Sequence, residues 1–230
     1  MKVDFTLALL ISLLTSTLAA PTTNLQKRST TIFPNYLIPI NQSTPDTAYF
    51  TQYTATIDYS GDDSTGNEKR MIVGFDVPQS SEHNCALEFV LPAPVPGGYP
   101  NAVSGSGRLD VYGFNGQIIN GVTNWNNRPP RYPPFTPFWT IYQPTDFSPA
   151  VVTGGPLPCN HGQRMDFEVV ATRGVDPTYF DWFGVLPSFF SSCFLGFDSL
   201  GFDSVGAMAN SCVGSVELIT PKTGITLNMS

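Results

Sequence analysis

Residues 31–59, TIFPNYLIPINQSTPDTAYFTQYTATIDY, constrain the fold more than any other stretch of the chain. In the second half Tyr49, Thr51, Tyr53, Ala55, Ile57 and Tyr59 share one side of a period-two ribbon. Phe50, Gln52, Thr54, Thr56 and Asp58 share the other. One side is mostly large or β-branched and the other mostly polar, which is the pattern of a half-buried strand. Such a strand needs a second layer over its apolar face. Pro45-Asp46, just after residues 41–44, marks a turn, so two strands are expected here.

The same alternation recurs downstream. Met71, Val73, Phe75 and Val77 form one set, Cys85, Leu87, Phe89 and Leu91 a second, and Met165, Phe167, Val169 and Ala171 a third. Residues 102–114 read as a strand bulged around Gly105-Ser106-Gly107. Asn115-Gly116 and Asn120-Gly121 are hairpin signals. Short strands are expected in 138–147, 150–153 and 215–220, and 178–186 is apolar on both faces, as in a central strand. Gly (20) and Pro (21) are abundant and no long helical periodicity interrupts them. The expected fold is all-β: one two-sheet antiparallel β-sandwich of jelly-roll type, stapled by disulfides, over residues 29–230.

The first 20 residues read as an export signal. Lys2 is followed by a short apolar run over 5–14 and by small residues at 16–20. The run is too short to span a bilayer. Residues 21–28 read as a propeptide ending in a dibasic site, Lys27-Arg28, with the mature chain starting at Ser29. Loss of Lys2, Asp4, Lys27 and Arg28 moves the formal charge from −7 to about −9. A chain this acidic gains nothing from a polyanion, so neither nucleic acid nor, once the signal is removed, a membrane is expected as partner.

Four cysteines in an exported chain favour disulfides. Of three possible pairings, Cys85–Cys159 and Cys193–Cys212 are expected. The interval 193–212 encloses a duplicated pentapeptide, GFDSL at 196–200 and GFDSV at 201–205, read as an insertion packed on one edge. Asn41-Gln42-Ser43 is a glycosylation sequon in the expected turn, and Asn228-Met229-Ser230 is a second at the chain end.

No nucleophile elbow, phosphate loop or zinc pattern is present, and no catalytic residue, metal site or cofactor is expected. The two histidines, His83 and His161, sit next to Cys85 and Cys159. If those cysteines pair, the imidazoles come close enough to share a metal, although two exposed loop histidines is the plainer reading. Glu88 and Glu168 each point away from the apolar side of a strand. As a carboxylate pair they would suit a glycosidase, the enzymatic alternative. Asp62/Asp63 and Asp198/Asp203 lack the spacing of a calcium loop.

The best binding candidate is the aromatic–proline segment 125–147. Trp125, Tyr132, Trp139 and Tyr142 are its glycan-binding candidates, with Asn124, Asn126 and Asn127 beside them and prolines stiffening the loop. The competing reading makes these aromatics a plug at one end of the sandwich. The run from Arg128 to Pro134 also has the look of a polyproline ligand, but the readers of such ligands are mostly cytosolic.

Residues 31–53, then Gly74-Phe75-Asp76-Val77-Pro78, then Cys85-Ala86-Leu87-Glu88-Phe89-Val90-Leu91-Pro92 resemble the "ubiquitin 3 binding protein" But-type C-terminal domain of exported fungal proteins. Pro158-Cys159, Gly162-Gln163 and Asp166-Phe167-Glu168-Val169 are similar to that family's second cysteine strand. The resemblance spans roughly residues 31–187 and implies a secreted or cell-wall β-sandwich, with no catalytic residue to carry over. The duplicated pentapeptide departs from the pattern. The expected function is therefore that of a non-catalytic extracellular or cell-wall protein of a fungus, whose partner is a wall polysaccharide or an extracellular protein such as a host surface component.

Overall fold

The structure, a computed structural model, describes residues 29–96, 100–133, 135–174, 176–184 and 223–230. The export signal, Lys27-Arg28, the pentapeptide repeat, Cys193, Cys212 and the strand expected at 215–220 lie outside the described residues.

The described chain forms β1 (Thr30–Ile32), β2 (Tyr36–Asn41), β3 (Thr54–Tyr59), β4 (Lys69–Asp76), β5 (Asn84–Val90), β6 (Ala102–Gly105) and β7 (Arg108–Phe114). It continues with β8 (Arg131–Tyr132), β9 (Trp139–Tyr142), β10 (Val151–Thr153), β11 (Leu157–Pro158), β12 (Arg164–Ala171), β13 (Thr178–Phe183) and β14 (Gly224–Met229). A single 3-10 turn, Asp63–Thr65, is capped by Asp62, whose side chain accepts from the Ser64 amide. The fold is all-β, and its antiparallel sheets form a sandwich-like structure. The smaller sheet runs β1-β14-β5-β11. The larger runs β10-β9-β7-β12-β4-β3-β13-β6, with β2 on β4 and β8 on β7.

Alternation decides which side chains meet. From the large sheet Ala55, Ile57, Met71, Val73, Phe75, Leu109, Val111, Phe167, Val169, Phe180 and Trp182 point into one core. Leu87, Phe89, Ile225, Leu227 and Met229 of the small sheet meet them there. Phe89 packs edge-on against Phe180 and Trp182, with ring centroids 6.1 and 5.6 Å apart. The large sheet also has a second, smaller apolar layer on its outer face. Tyr36, Ile38, Ile40, Ile72 and Ile118 are buried there, with Phe114 and Trp125 packed against them. That layer explains why β2 and β4 are buried along nearly their whole length.

Several expectations are corrected. Residues 49–53 are not strand; the alternation is realised only from Thr54 onward, with Ala55, Ile57 and Tyr59 buried. The loop before them is held instead by long-range bonds, such as Gln52 N to Leu37 O at 2.8 Å. The expected bulge at 105–107 is a turn separating β6 from β7, which pair with different strands. Residues 178–183 alternate between buried and half-buried rather than being covered on both faces. The Asn-Gly pairs do not close a tight two-residue hairpin; residues 115–130 form a turn-rich excursion between the paired strands β7 and β8, over the outer face.

Cys85 and Cys159 are joined, with Cα atoms 5.2 Å apart across 74 residues. The bridge ties β5 to the short edge strand β11, which pairs with β5 at Leu157↔Cys85 and Pro158↔Asn84. A loop this long carries a loop-entropy stabilisation of about 4 kcal/mol. Replacing both cysteines by Ala is expected to lower the unfolding free energy by about that amount, read as a shift in denaturant midpoint at unchanged m-value.

Candidate functional site

The outer face of the large sheet carries the polar chemistry. Phe167 and Val169 face the core, so Glu168 between them faces outward. It is nonetheless fully buried, because residues 115–131 fold back over it. Three guanidiniums converge on its carboxylate: Arg70 Nη1 at 3.1 Å, Arg128 Nε at 3.2 Å and Arg131 Nε at 2.5 Å. Arg70 also binds Glu68 at 2.6 Å, and Glu68 is shared with Arg173 at 2.5 Å. Burial pushes the Glu168 carboxyl up, but the guanidiniums of Arg70, Arg131 and Arg128 outweigh it and hold the group below the usual carboxylate range. Burial also pulls Arg70 down, and its bonds to Glu68 and Glu168 more than restore it.

The same arginines hold rings. The guanidinium carbons of Arg70 and Arg128 lie 4.2 and 4.4 Å from the Trp125 ring centroid, and that of Arg131 lies 4.3 Å from Tyr112. Trp125 is thus already stacked on cations. The asparagines beside it serve the loop: Asn124 Oδ1 accepts from the amides of Asn126 and Asn127, and Asn126 Nδ2 donates to Asp46 at 2.8 Å. None of these groups was singled out from sequence as a network. The one available signal was that Glu68 and Arg70 share a strand face, as do Asp166, Glu168 and Val170.

The structure separates the four glycan-binding candidates. Trp139 is 2 % exposed, and its indole donates to the Gly155 carbonyl at 2.9 Å, so it is core and offers no face to a ligand. Trp125 is half-buried beneath its arginines. Tyr142 is exposed but lies beside Arg108, in a separate open cleft with Ser106 and Asp176. Tyr132 is 60 % exposed and borders an open cavity of about 420 Å³. Phe138, Phe167, Leu157 and Met165 line that cavity together with Asn160, Arg164, Asp166 and Gly113. A Cβ at Gly113 would lie 2.7 Å from the Phe138 ring, so the glycine admits the aromatic wall. Arg164 holds Asp166 at 3.0 Å, and Tyr36 donates its hydroxyl to Asp166. Burial first, then that bond, pushes the Tyr36 phenol well above its ordinary value.

The two-carboxylate reading fails on placement. Glu88 lies on β5 between Leu87 and Phe89, which face the core, so it points out from the small sheet. There it accepts from Asn228 Nδ2 at 2.7 Å. Glu168 points out from the other sheet and is sealed by arginines. The two cannot flank one bond. His83 and His161 do come together, with ring centroids 5.7 Å apart. Asp62 and Asp63 are used locally, by Ser64 and Arg173. Among the described residues no group of three or more His, Cys, Asp or Glu gathers as for a metal ion. Asn41 ends β2, and its Oδ1 accepts from the Ser43 amide at 3.0 Å in an Asx turn.

Removing the Glu168 charge leaves three guanidiniums around a neutral group. Glu168→Gln is expected to cost about 3–5 kcal/mol at neutral pH. Glu88→Gln should change stability by less than about 1 kcal/mol. Because folding lowers the Glu168 pKa, its contribution is complete above the ordinary glutamate value of about 4.3 and is lost as pH falls below it. Chemical denaturation between pH 7 and pH 3 should show wild-type stability dropping in the acid range and a flatter curve for Glu168→Gln.

A comparison with curated proteins returned no match. The family model of the ubiquitin 3 binding protein But2 C-terminal domain matches residues 32–185, well over half of the chain, so the chain belongs to this family of binding-type domains.

Proposed function

We propose that this chain is an exported, non-catalytic binding protein whose ligand is a wall polysaccharide held at the Tyr132 cavity. One observation carries the reading. Tyr132 presents an open ring at a cavity of about 420 Å³ whose lining combines aromatic and other apolar side chains with amide and ionic groups. A flat apolar ring beside fixed hydrogen-bonding groups suits a sugar, which has apolar C–H faces and an equatorial ring of hydroxyls. The strand that carries Tyr132, β8, also carries Arg131, so the anchor on Glu168 fixes the ring before any ligand arrives. Export is supported by the amino-terminal pattern and by the buried disulfide.

A protein partner outside the cell is the second reading. Phe50, Ile119 and Val122 are all more than half exposed, and Phe50 lies against Gly121. Exposed apolar side chains gathered this way are common at protein contacts.

Retention on insoluble chitin and β-glucan tests the first reading. The protein should be retained without release of reducing ends, and Tyr132→Ala should weaken retention about tenfold, which is about 1.4 kcal/mol. Phe50→Ser should leave it unchanged. Absence of retention on both polymers would reject the polysaccharide. Expression of the full chain in a secreting fungal host should deliver to the medium a protein beginning at Ser29. An endoglycosidase-sensitive mass on it should disappear in Asn41→Gln.

A further inference from the structure

We infer that His83 and His161 form a two-histidine site for a first-row transition-metal ion of imidazole-binding type, with Cu²⁺ the tightest. Both ring nitrogens of His161 are buried and without a hydrogen-bond partner. A neutral imidazole carries one N–H donor and one lone pair, so in this half-buried side chain both valences are unmet at atoms closed to solvent, where such groups are nearly always satisfied. The group beside it is the chain's one other histidine. Two imidazoles on one ion, at metal–nitrogen distances of about 2.0–2.1 Å, hold their ring centroids roughly 4.5–6.5 Å apart as the nitrogen–metal–nitrogen angle opens from a right angle to a straight line. The observed separation is 5.7 Å, with the planes 81° apart. His83 is exposed, so rotation of its side chain can aim a nitrogen at the point between the rings.

The two loops are locked at this spacing. The Cys85–Cys159 bridge joins the strands behind them. Cys159 N donates to His83 O at 3.0 Å, and His161 N donates to Cys159 O at 3.1 Å. The staple therefore fixes the two backbone positions, and only the His83 side chain has to turn to the ion. Two neutral nitrogens favour Cu²⁺, then Ni²⁺ and Zn²⁺, and give no hold on Ca²⁺ or Mg²⁺, which need several oxygens. Glu82, next to His83, takes the hydroxyls of Thr30 and Ser80 at 3.4 and 3.3 Å. It adds negative charge nearby, and water completes the coordination. The site does not depend on the Tyr132 cavity.

The test is calorimetric titration of the untagged secreted protein with CuCl₂, with electron paramagnetic resonance of the product. One Cu²⁺ per chain is expected, with a signal of two equatorial imidazole nitrogens. His83→Ala and His161→Ala should each lose at least tenfold in affinity, and CaCl₂ should give no heat. His83 is on the surface, so His83→Ala is the decisive variant, its fold checked by near-ultraviolet circular dichroism. Absence of saturable Cu²⁺ binding, or an isotherm and spectrum unchanged in folded His83→Ala, would overturn the site and leave His161 to an ordered water.

Discussion

A carboxylate with no access to water stays ionised only where cations or hydrogen-bond donors take the place of its hydration. Glu168 meets that condition through Arg70 and Arg131 from strands of its own sheet and through Arg128 from the excursion that crosses above it. The charge thus does more than balance. It forces residues 115–131 against the large sheet, because only there do Arg128 and Arg131 find their partner. Arg164 adds to the hold by donating to the Ile118 carbonyl. Ile118 and Trp125 then complete the outer apolar layer with Ile38, Ile40 and Ile72.

The arginines have a second part in this. All six in the described residues stand over an aromatic ring, as Arg164 does over Tyr36 and Arg173 over Tyr59. Guanidinium is planar and weakly hydrated, so it can lie on a ring and still bind a carboxylate at its edge. This lets a chain with few charges build a polar layer that is packed as closely as an apolar one. It also divides the aromatics of the 125–147 segment by role. Trp125 and Tyr142 lie under cations, Trp139 belongs to the core, and Tyr132 is left at the rim of an open cavity.

Strands were legible wherever alternation is a local matter. Residues 69–76, 84–90 and 164–171 show their inner faces directly, as Val73, Phe89 and Phe167 do. The pattern misled at 49–53, where tyrosines at alternate positions belong to a loop pinned by Asn120 and Gly121, some 70 residues away. The candidate site was less legible. Glu168 reads as an ordinary outward glutamate, since nothing within several residues of it says that another segment will cover it. The aromatic–proline stretch was recognisable as unusual, but a tryptophan in the core and a tyrosine at the rim have the same local signature.

By itself the sequence determined the class of fold and the use of its cysteines in disulfides, because period-two alternation and cysteine usage are properties of the chain taken locally; that Cys85 pairs with Cys159, one of three possible pairings, was decided by the tertiary structure. The tertiary structure alone decided which polar groups face each other: Glu168 with three arginines instead of with Glu88, Trp139 inward and Tyr132 outward, His83 beside His161. Those ionic and ring partnerships join residues 37 to 98 positions apart, and burial and electrostatics act through space rather than along the backbone.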